Sequence, residues 1–308
     1  MAWTFEKVAG PSEGPTGGLA WDGSGMLFSA IAEGRILRYG PASGKASEFR
    51  KYTNRTNGLA FAPGGALYGC QESSRRVIRF AEDGSTTTTA FLLDGSYHNH
   101  PNNLAIDSKG RIWFSDPWSE LRASGPQIFP ALEHASVLRL ELDSFRKLWS
   151  IRRMTYDTVA PRAVALSPDE STLYIAQTDN SPLGRRELRA YPILADNTLG
   201  PFTLLHAFGR DHRGEHRGIE GMCMDREGNI VACAGWRKAG PGPLVCVFSP
   251  GGAIIESHPL PADQPMNCAF GDDDLGSLYV TTAGGELLRA RHCGRRGRVL
   301  PTAQRRAQ

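Results

Sequence analysis

The chain has 308 residues, of which 40% are hydrophobic and 22% are charged, and its formal net charge is +3. These values predict a globular protein with a large core and exclude a collagen-like or disordered chain. So small a charge excess argues against a nucleic-acid partner, and no apolar run reaches the roughly 18 residues of a membrane-spanning helix. The segment MAWTFEKVAG at the start lacks the apolar core of a secretory signal, so we expect a cytoplasmic protein with no membrane partner.

Six segments along the chain repeat one pattern, an alternating strand, a tight turn and a second alternating strand. They begin at residues 18, 58, 103, 163, 221 and 267 and read, in order, GLAWDGSGMLF, GLAFAPGGALY, NLAIDSKGRIW, AVALSPDESTLY, GMCMDREGNIV and NCAFGDDDLGSLY. A third strand usually follows, as in RILRYGP and SVLRLEL. The starts lie 40 to 60 residues apart, the spacing at which one repeat forms a four-stranded blade. The sequence therefore predicts an all-β fold, a six-bladed β-propeller with four-stranded blades around a central channel.

We expect one propeller over residues 1–292 and no linker within it. The alternative, two unrelated β-sandwiches, does not explain why six copies keep one internal order. Residues 293–308 contain five arginines and are predicted to form a basic, disordered tail. Six cysteines show no CxxC pair and fall mostly in apolar β-type segments, which favours buried free thiols over disulfides or zinc ligands.

The first strand of each propeller blade lines the channel, so equivalent positions in the six copies form a ring. Four residues before the bulky apolar residue of each copy, these positions are Gly17, Asn57, Asn102, Arg162, Glu220 and Met266. Amides, a guanidinium and a carboxylate at a channel entrance are costly to desolvate unless they bind one another or a ligand. The ring is therefore the candidate active site.

Segments such as EGPTGGLAWDG, HPNNLAIDSKGRIWFSDP and IEGMCMDREGNI resemble the blade signatures of the senescence marker protein, regucalcin and gluconolactonase-like family. The resemblance extends over residues 12–292 and implies lactone hydrolysis with one divalent cation, calcium, zinc, manganese or magnesium, at the channel. In the family the cation is held by a Glu of the first blade, Asn of the third and fourth blades, and an Asp of the fifth. Here the corresponding ligands are Glu13, Asn102 and Glu220.

Two positions depart from the family pattern. Arg162 stands where the fourth-blade Asn is expected, and Gly17 occupies the first-blade column, with Glu13 four residues upstream. A guanidinium has no acceptor and cannot bind a cation. Three alternatives remain open. The metal is retained if Glu13 points into the channel, Arg162 replaces it with a fixed positive charge, or the site has decayed.

Lactone opening needs an activated water, a positive group for the oxyanion and an acid for the leaving alkoxide. Glu220 is the predicted general base, and the metal or Arg162 stabilises the oxyanion. Asn57, Asn102 and Asn103 are predicted to orient the substrate. The structural alternatives are plain hydrogen bonding among the channel amides and an ion pair between Glu220 and Arg162.

Histidines and tryptophans on neighbouring loops form a second group of candidates. His98 and His100 precede the third inner strand, and His212 and His216 precede the fifth; of these, His100 is a candidate base near neutral pH. Trp118 and Trp236 follow second strands and are predicted to contact substrate as an apolar lid, or else to cover the edge of the core.

The leading prediction is a hydrolase of a sugar-type lactone or a related small cyclic ester. One alternative is a metal-independent enzyme similar to strictosidine synthase, in which Glu220 acts alone and Arg162 selects an anionic substrate. The other is a propeller that binds a small molecule without catalysis. The expected partner is a small-molecule substrate. The positive charge of Arg162 would allow this substrate to be anionic.

Overall fold

A computed structural model describes residues 2–298, which form six four-stranded antiparallel sheets and no helix. No helix of these residues is therefore long and apolar enough to cross a membrane.

The first three blades comprise the following strands. After β1 (Phe5–Ala9), blade 1 has β2 (Thr16–Trp21), β3 (Met26–Ala30), β4 (Arg35–Gly40) and β5 (Lys45–Arg50); blade 2 has β6 (Thr56–Phe61), β7 (Leu67–Gln71), β8 (Arg76–Phe80) and β9 (Thr86–Thr88); and, after a hairpin of β10 (Leu92–Leu93) and β11 (Ser96–Tyr97), blade 3 has β12 (Leu104–Ile106), β13 (Ile112–Asp116), β14 (Ser136–Asp143) and β15 (Leu148–Arg153).

The remaining three blades follow the same order from the channel outwards. Blade 4 has β16 (Pro161–Leu166), β17 (Thr172–Thr178), β18 (Arg186–Pro192) and β19 (Thr203–Ala207); after a hairpin of β20 (Arg210–Asp211) and β21 (Gly214–Glu215), blade 5 has β22 (Ile219–Met224), β23 (Ile230–Ala234), β24 (Leu244–Phe248) and β25 (Ile254–Pro259); and blade 6 has β26 (Pro265–Gly271), β27 (Ser277–Thr282) and β28 (Leu287–Ala290). The predicted fold class, a six-bladed β-propeller, is confirmed.

The middle strands of each blade are buried on both faces, whereas the outer strands meet solvent. All five residues of β23 are buried, but the first four residues of β5 are exposed. Adjacent sheets pack face to face through fully buried side chains such as Phe28, Trp113, Phe114 and Phe248. The core is thus a set of layers between blades, and it holds the inner strands in a ring.

An aspartate closes the turn between the first and second strands in several copies. In blade 3 the Oδ1 atom of Asp107 accepts hydrogen bonds from the backbone N–H groups of Lys109 and Arg111, at 3.0 and 2.9 Å. Its Oδ2 atom accepts from Nε of Arg111 at 2.6 Å and from Nε1 of Trp113 at 3.0 Å. Asp22 and Asp225 make equivalent backbone contacts. The recurring Asp of the repeat is therefore a turn residue rather than a site residue.

The ring is closed by the amino-terminal strand β1, which pairs with β28 and becomes the outer strand of blade 6. Phe5 lies opposite Ala290, and Lys7 lies opposite Leu288. Just before the strand, Trp3 stacks on His258 of blade 5, with ring centroids 3.8 Å apart. The two ends of the propeller are thereby held in one sheet.

The segment that follows β28 is packed against blades 5 and 6 as far as the structure describes it. The Nη1 atom of Arg295 lies 2.6 Å from Oδ2 of Asp225, and the backbone N–H of Gly297 donates to the carbonyl of Leu275 at 2.9 Å. The predicted disorder of the 293–308 tail is therefore wrong for residues 293–298, because an ion pair and backbone pairing hold them. Residues 299–308 lie outside the described residues.

All six cysteines are free thiols, as predicted, and five of them are buried. Sγ of Cys223 lies 3.7 Å from Sγ of Cys268, which is too far for a disulfide bond. These thiols contribute to the packing of the inner and middle strands of blades 5 and 6.

Candidate active site

The six innermost strands, β2, β6, β12, β16, β22 and β26, all begin at one end of the channel, which we call the mouth. In four of these strands the register shifts by one residue close to the mouth, and the extra residue is Gly18 in β2, Arg162 in β16, Glu220 in β22 and Met266 in β26. In β6 the shift falls between Thr56 and Leu59 and includes Asn57. A β-bulge turns the side chain of its extra residue away from the regular ladder. The ring positions Asn57, Arg162, Glu220 and Met266 therefore stand out by their bulged backbone as well as by their place in the aligned sequence.

Hydroxyl groups of neighbouring blades fix the backbone at these bulges. Oγ of Ser29 donates to the carbonyl of Asn57 at 2.9 Å, and Oγ of Ser115 donates to the carbonyl of Arg162 at 2.8 Å. Oγ1 of Thr178 donates to the carbonyl of Ile219, the residue before Glu220, at 2.6 Å. Each donor stands on the second strand of the preceding blade, so the ring side chains start from anchored backbone.

Asn57 holds a buried carboxyl group at the mouth. Its Nδ2 atom donates to Oε1 of Glu72 at 2.9 Å, and the Glu72 side chain belongs to the turn between β7 and β8. Only 8% of Glu72 is exposed. Burial raises the pKa of Glu72, although the hydrogen bond from Asn57 and the charges of Arg55 and Arg162 oppose that rise. Gly17 makes room for this contact, since a Cβ atom there would lie 2.5 Å from Oδ1 of Asn57.

Glu220 forms a buried ion pair with Arg217. Its Oε1 atom lies 3.3 Å from Nη2 of Arg217, and both side chains are less than 10% exposed. Arg217 also reaches the next blade, where it donates to the carbonyl of Pro265 at 3.5 Å and contacts the sulfur of Met266 at 3.4 Å. Within the part of the chain that the structure describes, Arg162 makes no ion pair with Glu220, so the partner suggested by the sequence is wrong.

The segment before β12 buries two histidines and faces a buried aspartate. Burial, together with the positive charges of Arg75, Arg162 and Arg55, lowers the pKa of His100 to about 4. His98 has its pKa lowered to about 4, chiefly by burial, and packs edge-on against Phe114. The imidazole of His100 is therefore neutral at pH 7, which argues against the prediction that it titrates near neutral pH.

Asp116 ends β13 directly behind His100. Its Oδ2 atom accepts a hydrogen bond from the backbone N–H of Asn99 at 2.8 Å. Burial raises the pKa of Asp116 to about 8, against the effects of the Asn99 and His100 N–H groups and the Arg75 charge. This carboxyl group is accordingly protonated over most of the neutral range.

The wall of the channel beyond the mouth is apolar and encloses a cavity of about 240 Å³. Trp21, Phe61 and Met224 line it, and Asn103 is among its few polar residues. At the far end Gly297 lies against Phe270. The polar and charged groups are therefore concentrated at the mouth.

Comparison with known proteins assigns the chain to a family. Residues 12–284 match the family model of the SMP-30/Gluconolactonase/LRE-like region. The chain belongs to this family. A gluconolactonase of Zymomonas mobilis is 26% identical, over 91% of this chain and 78% of that protein. A 6-deoxy-6-sulfogluconolactonase of Pseudomonas putida is 28% identical, over 84% of this chain and 79% of that protein.

Solved structures of similar proteins share the fold. A gluconolactonase from Xanthomonas campestris has 27% identity and a TM-score of 0.76, covering 94% of this chain and 89% of its own. A calcium-binding regucalcin from Agrobacterium tumefaciens has 18% identity and a TM-score of 0.72, covering 97% of each chain. The names of these SMP-30/gluconolactonase relatives agree with the predicted lactonase class, and they include a calcium-binding protein.

The residues expected to bind a divalent cation do not form a suitable ligand set here. Glu13 is exposed at the rim, and its backbone N–H donates to Oε1 of Glu33 at 2.7 Å. Glu220 is already paired with Arg217, and Arg162 adds a positive charge in the fourth blade. Among residues 2–298 no group of three or more His, Cys, Asp or Glu side chains is placed to hold a metal ion. Because Ca²⁺ and similar ions need several oxygen ligands and negative charge, this mouth does not fit one.

The other predicted site residues lie in different surroundings. Asn102 is half-buried at the mouth, where its carbonyl accepts a hydrogen bond from the N–H of Gly58 at 2.7 Å. Trp118 is 62% exposed on the loop after β13. Trp236 is half-buried, and its Nε1 atom donates to the carbonyl of Glu215 at 3.2 Å. Substrate contact by either tryptophan stays a prediction.

Four charged residues at the mouth were not identified from the sequence: Arg55, Glu72, Arg75 and Arg217. None belongs to the aligned ring column, because each stands in a segment that joins two strands. A signal was present, since Arg55 and Arg217 precede inner strands by one and two residues.

Proposed function

We propose that the protein is a hydrolase that opens a sugar-type lactone at the mouth of its propeller. Two buried carboxyl groups at the mouth, Glu220 and Glu72, carry the proposal within a family whose named relatives include lactonases. In a six-bladed ring, blades 2 and 5 lie opposite each other. A substrate between them would have one carboxyl group on each side.

Glu220 is the proposed general base. Its carboxylate, held by Arg217, accepts a proton from water as the water oxygen bonds to the carbonyl carbon of the lactone. Arg162 stabilises the negative charge that develops on the carbonyl oxygen. The amides of Asn57 and Asn102 orient the substrate beside it.

Glu72 is the proposed general acid. Burial raises its pKa, so it retains a proton at a higher pH than an exposed glutamate does. When the ring C–O bond breaks, the Glu72 proton passes to the leaving alkoxide and a hydroxy acid is released. Exchange with solvent returns the proton to Glu72 and removes the one on Glu220. No step requires a metal ion.

The experiment measures acid release from D-glucono-1,5-lactone with a pH indicator, after subtraction of spontaneous hydrolysis. We expect Glu220→Gln and Glu72→Gln each to lower kcat by about a hundredfold or more, because each removes one proton transfer. Glu82→Gln, on the exposed edge of blade 2, is the matched control and should keep the wild-type rate. A chelator should leave the wild-type rate unchanged.

Two results would contradict the proposal. The first is wild-type protein that does not exceed the spontaneous rate with any sugar lactone. The second is full activity in Glu220→Gln. A rate that falls with chelator and returns with calcium or zinc would overturn the metal-free mechanism but not lactone hydrolysis.

The Glu220–Arg217 ion pair also favours a second candidate function, a propeller that binds a small molecule without turnover. That function predicts saturable binding of a sugar acid or lactone with no acid release. A cytoplasmic location is part of both proposals, since six free thiols are typical of a reducing compartment. Cell fractionation tests it.

A further inference from the structure

We propose that the substrate is a lactone that carries an anionic group, and that Arg55, Arg75 and His100 bind this group beside Arg162. The inference rests on the proposed lactonase function and adds the class of substrate to it. The charged group is a phosphate, sulfonate or carboxylate on the sugar chain. It is separate from the carbonyl that Glu220 and Arg162 serve.

Three consecutive blades bring these residues together. Arg55 immediately precedes β6, and Arg75 stands in the turn between β7 and β8, so blade 2 contributes both. Arg162 is the bulged residue of β16 in blade 4. His100 precedes β12 of blade 3, which lies between the other two. Burial and the charges of all three arginines lower the pKa of the His100 imidazole, in agreement with this arrangement of neighbouring blades.

Several nitrogen atoms in this group are buried without a hydrogen-bond partner. They are Nε of Arg55, Nε of Arg75, Nε of Arg162 and both ring nitrogens of His100. His100 is only 3% exposed. Among the residues that the structure describes, none accepts a hydrogen bond from these atoms, although Nε of Arg55 lies 3.6 Å from Oε2 of Glu72, and leaving buried donors unpaired is unfavourable. An oxyanion would accept from several of them at once.

The balance of charge at this side of the mouth is positive. Arg55, Arg75 and Arg162 contribute three positive charges, and His100 is neutral. Asp116 is protonated through most of the neutral range, which leaves Glu72 as the nearby acid. Glu220 does not reduce the excess, because Arg217 neutralises it. An excess of at least two positive charges in a partly buried site attracts an anion.

The chemistry of the donors defines the ligand. Guanidinium groups present planar N–H donors that match the oxygen atoms of carboxylate, sulfonate and phosphate groups. A neutral imidazole adds one more N–H donor. The same set repels metal ions and offers a sugar hydroxyl no advantage over water. The geometry thus favours an anionic sugar lactone over its neutral analogue.

The test compares initial rates of the full-length protein on 6-phospho-D-glucono-1,5-lactone and on D-glucono-1,5-lactone. We expect kcat/KM for the phosphorylated lactone to exceed that for the neutral one at least tenfold, mainly through KM. Arg75→Gln and, separately, Arg55→Gln should lower this ratio by about ten- to hundredfold, the effect of one lost charge-assisted hydrogen bond. Arg79→Gln, on the exposed face of β8, is the matched control and should keep the wild-type ratio.

Equilibrium binding separates this inference from the proposed function. Calorimetry with D-glucitol 6-phosphate and with D-glucitol needs no turnover. At least tenfold tighter binding of the phosphate, lost in Arg75→Gln, supports the anion site even if neither lactone is hydrolysed. Equal affinities for the two glucitols, or a substrate ratio that Arg75→Gln and Arg55→Gln leave unchanged, overturn it while lactone hydrolysis can still stand. A sulfonated lactone that outperforms the phosphorylated one would support the site and identify the group it prefers.

Discussion

Asp116 carries a carboxyl group into a fully buried position, where burial raises its pKa to about 8. In the unfolded chain an aspartate has a pKa of about 3.9. Because the folded pKa is the higher one, the contribution of Asp116 to stability is fully present below about pH 4 and declines as the pH rises through 8. The decline between pH 5 and pH 9 amounts to at most about 4 kcal/mol.

We therefore expect Asp116→Asn to reduce the loss of stability between pH 5 and pH 9. The amide keeps an oxygen that accepts from the N–H of Asn99 and has no charge to desolvate. Chemical denaturation at pH 5, 7 and 9 measures the free energy of unfolding. Asp94→Asn, in the exposed β10–β11 hairpin, is the control and should follow the wild type. Equal pH dependence in Asp116→Asn and wild type would contradict the assignment.

At the scale of residues, the sequence predicts the site only where the repeat provides an alignment. Asn57, Arg162 and Glu220 are recognisable because all six copies keep the same distance from the ring position to the bulky apolar residue. Arg75 and Glu72 stand in a turn whose length differs from blade to blade, so no column contains them. Their convergence depends on how neighbouring turns pack, which single-sequence patterns do not specify.

At the scale of elements, the backbones of neighbouring inner strands are in places so close that no side chain fits between them. A Cβ atom on Gly221 would lie 2.6 Å from Cα of Asn267 and would also meet the carbonyl of Met266 on the neighbouring inner strand. Gly58 faces the third blade in the same way, against Asn102 and Asn103. At these two positions, glycine directly after the ring residue is what allows the backbones of neighbouring inner strands to approach so closely.

We expect Gly221→Ala to destabilise the protein by about 2 kcal/mol, since overpacking against backbone cannot be relieved by a rotamer change. It should also lower activity, because the displaced residue adjoins Glu220. Thermal unfolding and the lactonase assay measure the two effects. Gly251→Ala, in the outer hairpin of blade 5, meets only Oγ of Ser249 at 3.9 Å and should stay within about 0.5 kcal/mol of wild type. Wild-type stability in Gly221→Ala would show that the ring can widen.

The pattern of apolar residues predicts these strands well. Middle strands are buried on both faces and outer strands on one face, so the two kinds of strand have different patterns of apolar residues. The strand β1 is different. Its sequence, FEKVA, does not alternate strictly, and nothing local to it indicates that the partner is β28. A pairing between the two ends of the chain follows from closure of the ring rather than from the strand itself.

At the scale of the whole molecule, closure by β1 joins the first residues of the chain to the last blade. We expect removal of residues 1–9 to lower the melting temperature substantially and to promote aggregation, because the edge of β28 would be left unpaired. Circular dichroism during heating measures the change. Addition of a peptide with the sequence of residues 1–10 is the control and should restore part of the lost stability. An unchanged melting temperature would show that three strands suffice for blade 6.

The number of blades was predictable because it equals the number of repeats, and the central channel follows from that number. The charge of the mouth was not predictable from the total of +3, since an excess of arginine at one point is offset elsewhere. The family pattern leads to a cation site, whereas the charges of Arg55, Arg75 and Arg162, which lower the pKa of His100, support the proposed anion site. That difference arises from a few side chains on a fold the relatives share.

The described part of the carboxy-terminal segment lies against Phe270 and Leu275 at the far end of the channel. In the proposed reaction the lactone enters, and the hydroxy acid leaves, through the mouth where the charged groups lie. A newly formed carboxylate surrounded by guanidinium groups would depart slowly, so release of the product, rather than breakage of the ester bond, would govern the steady-state rate.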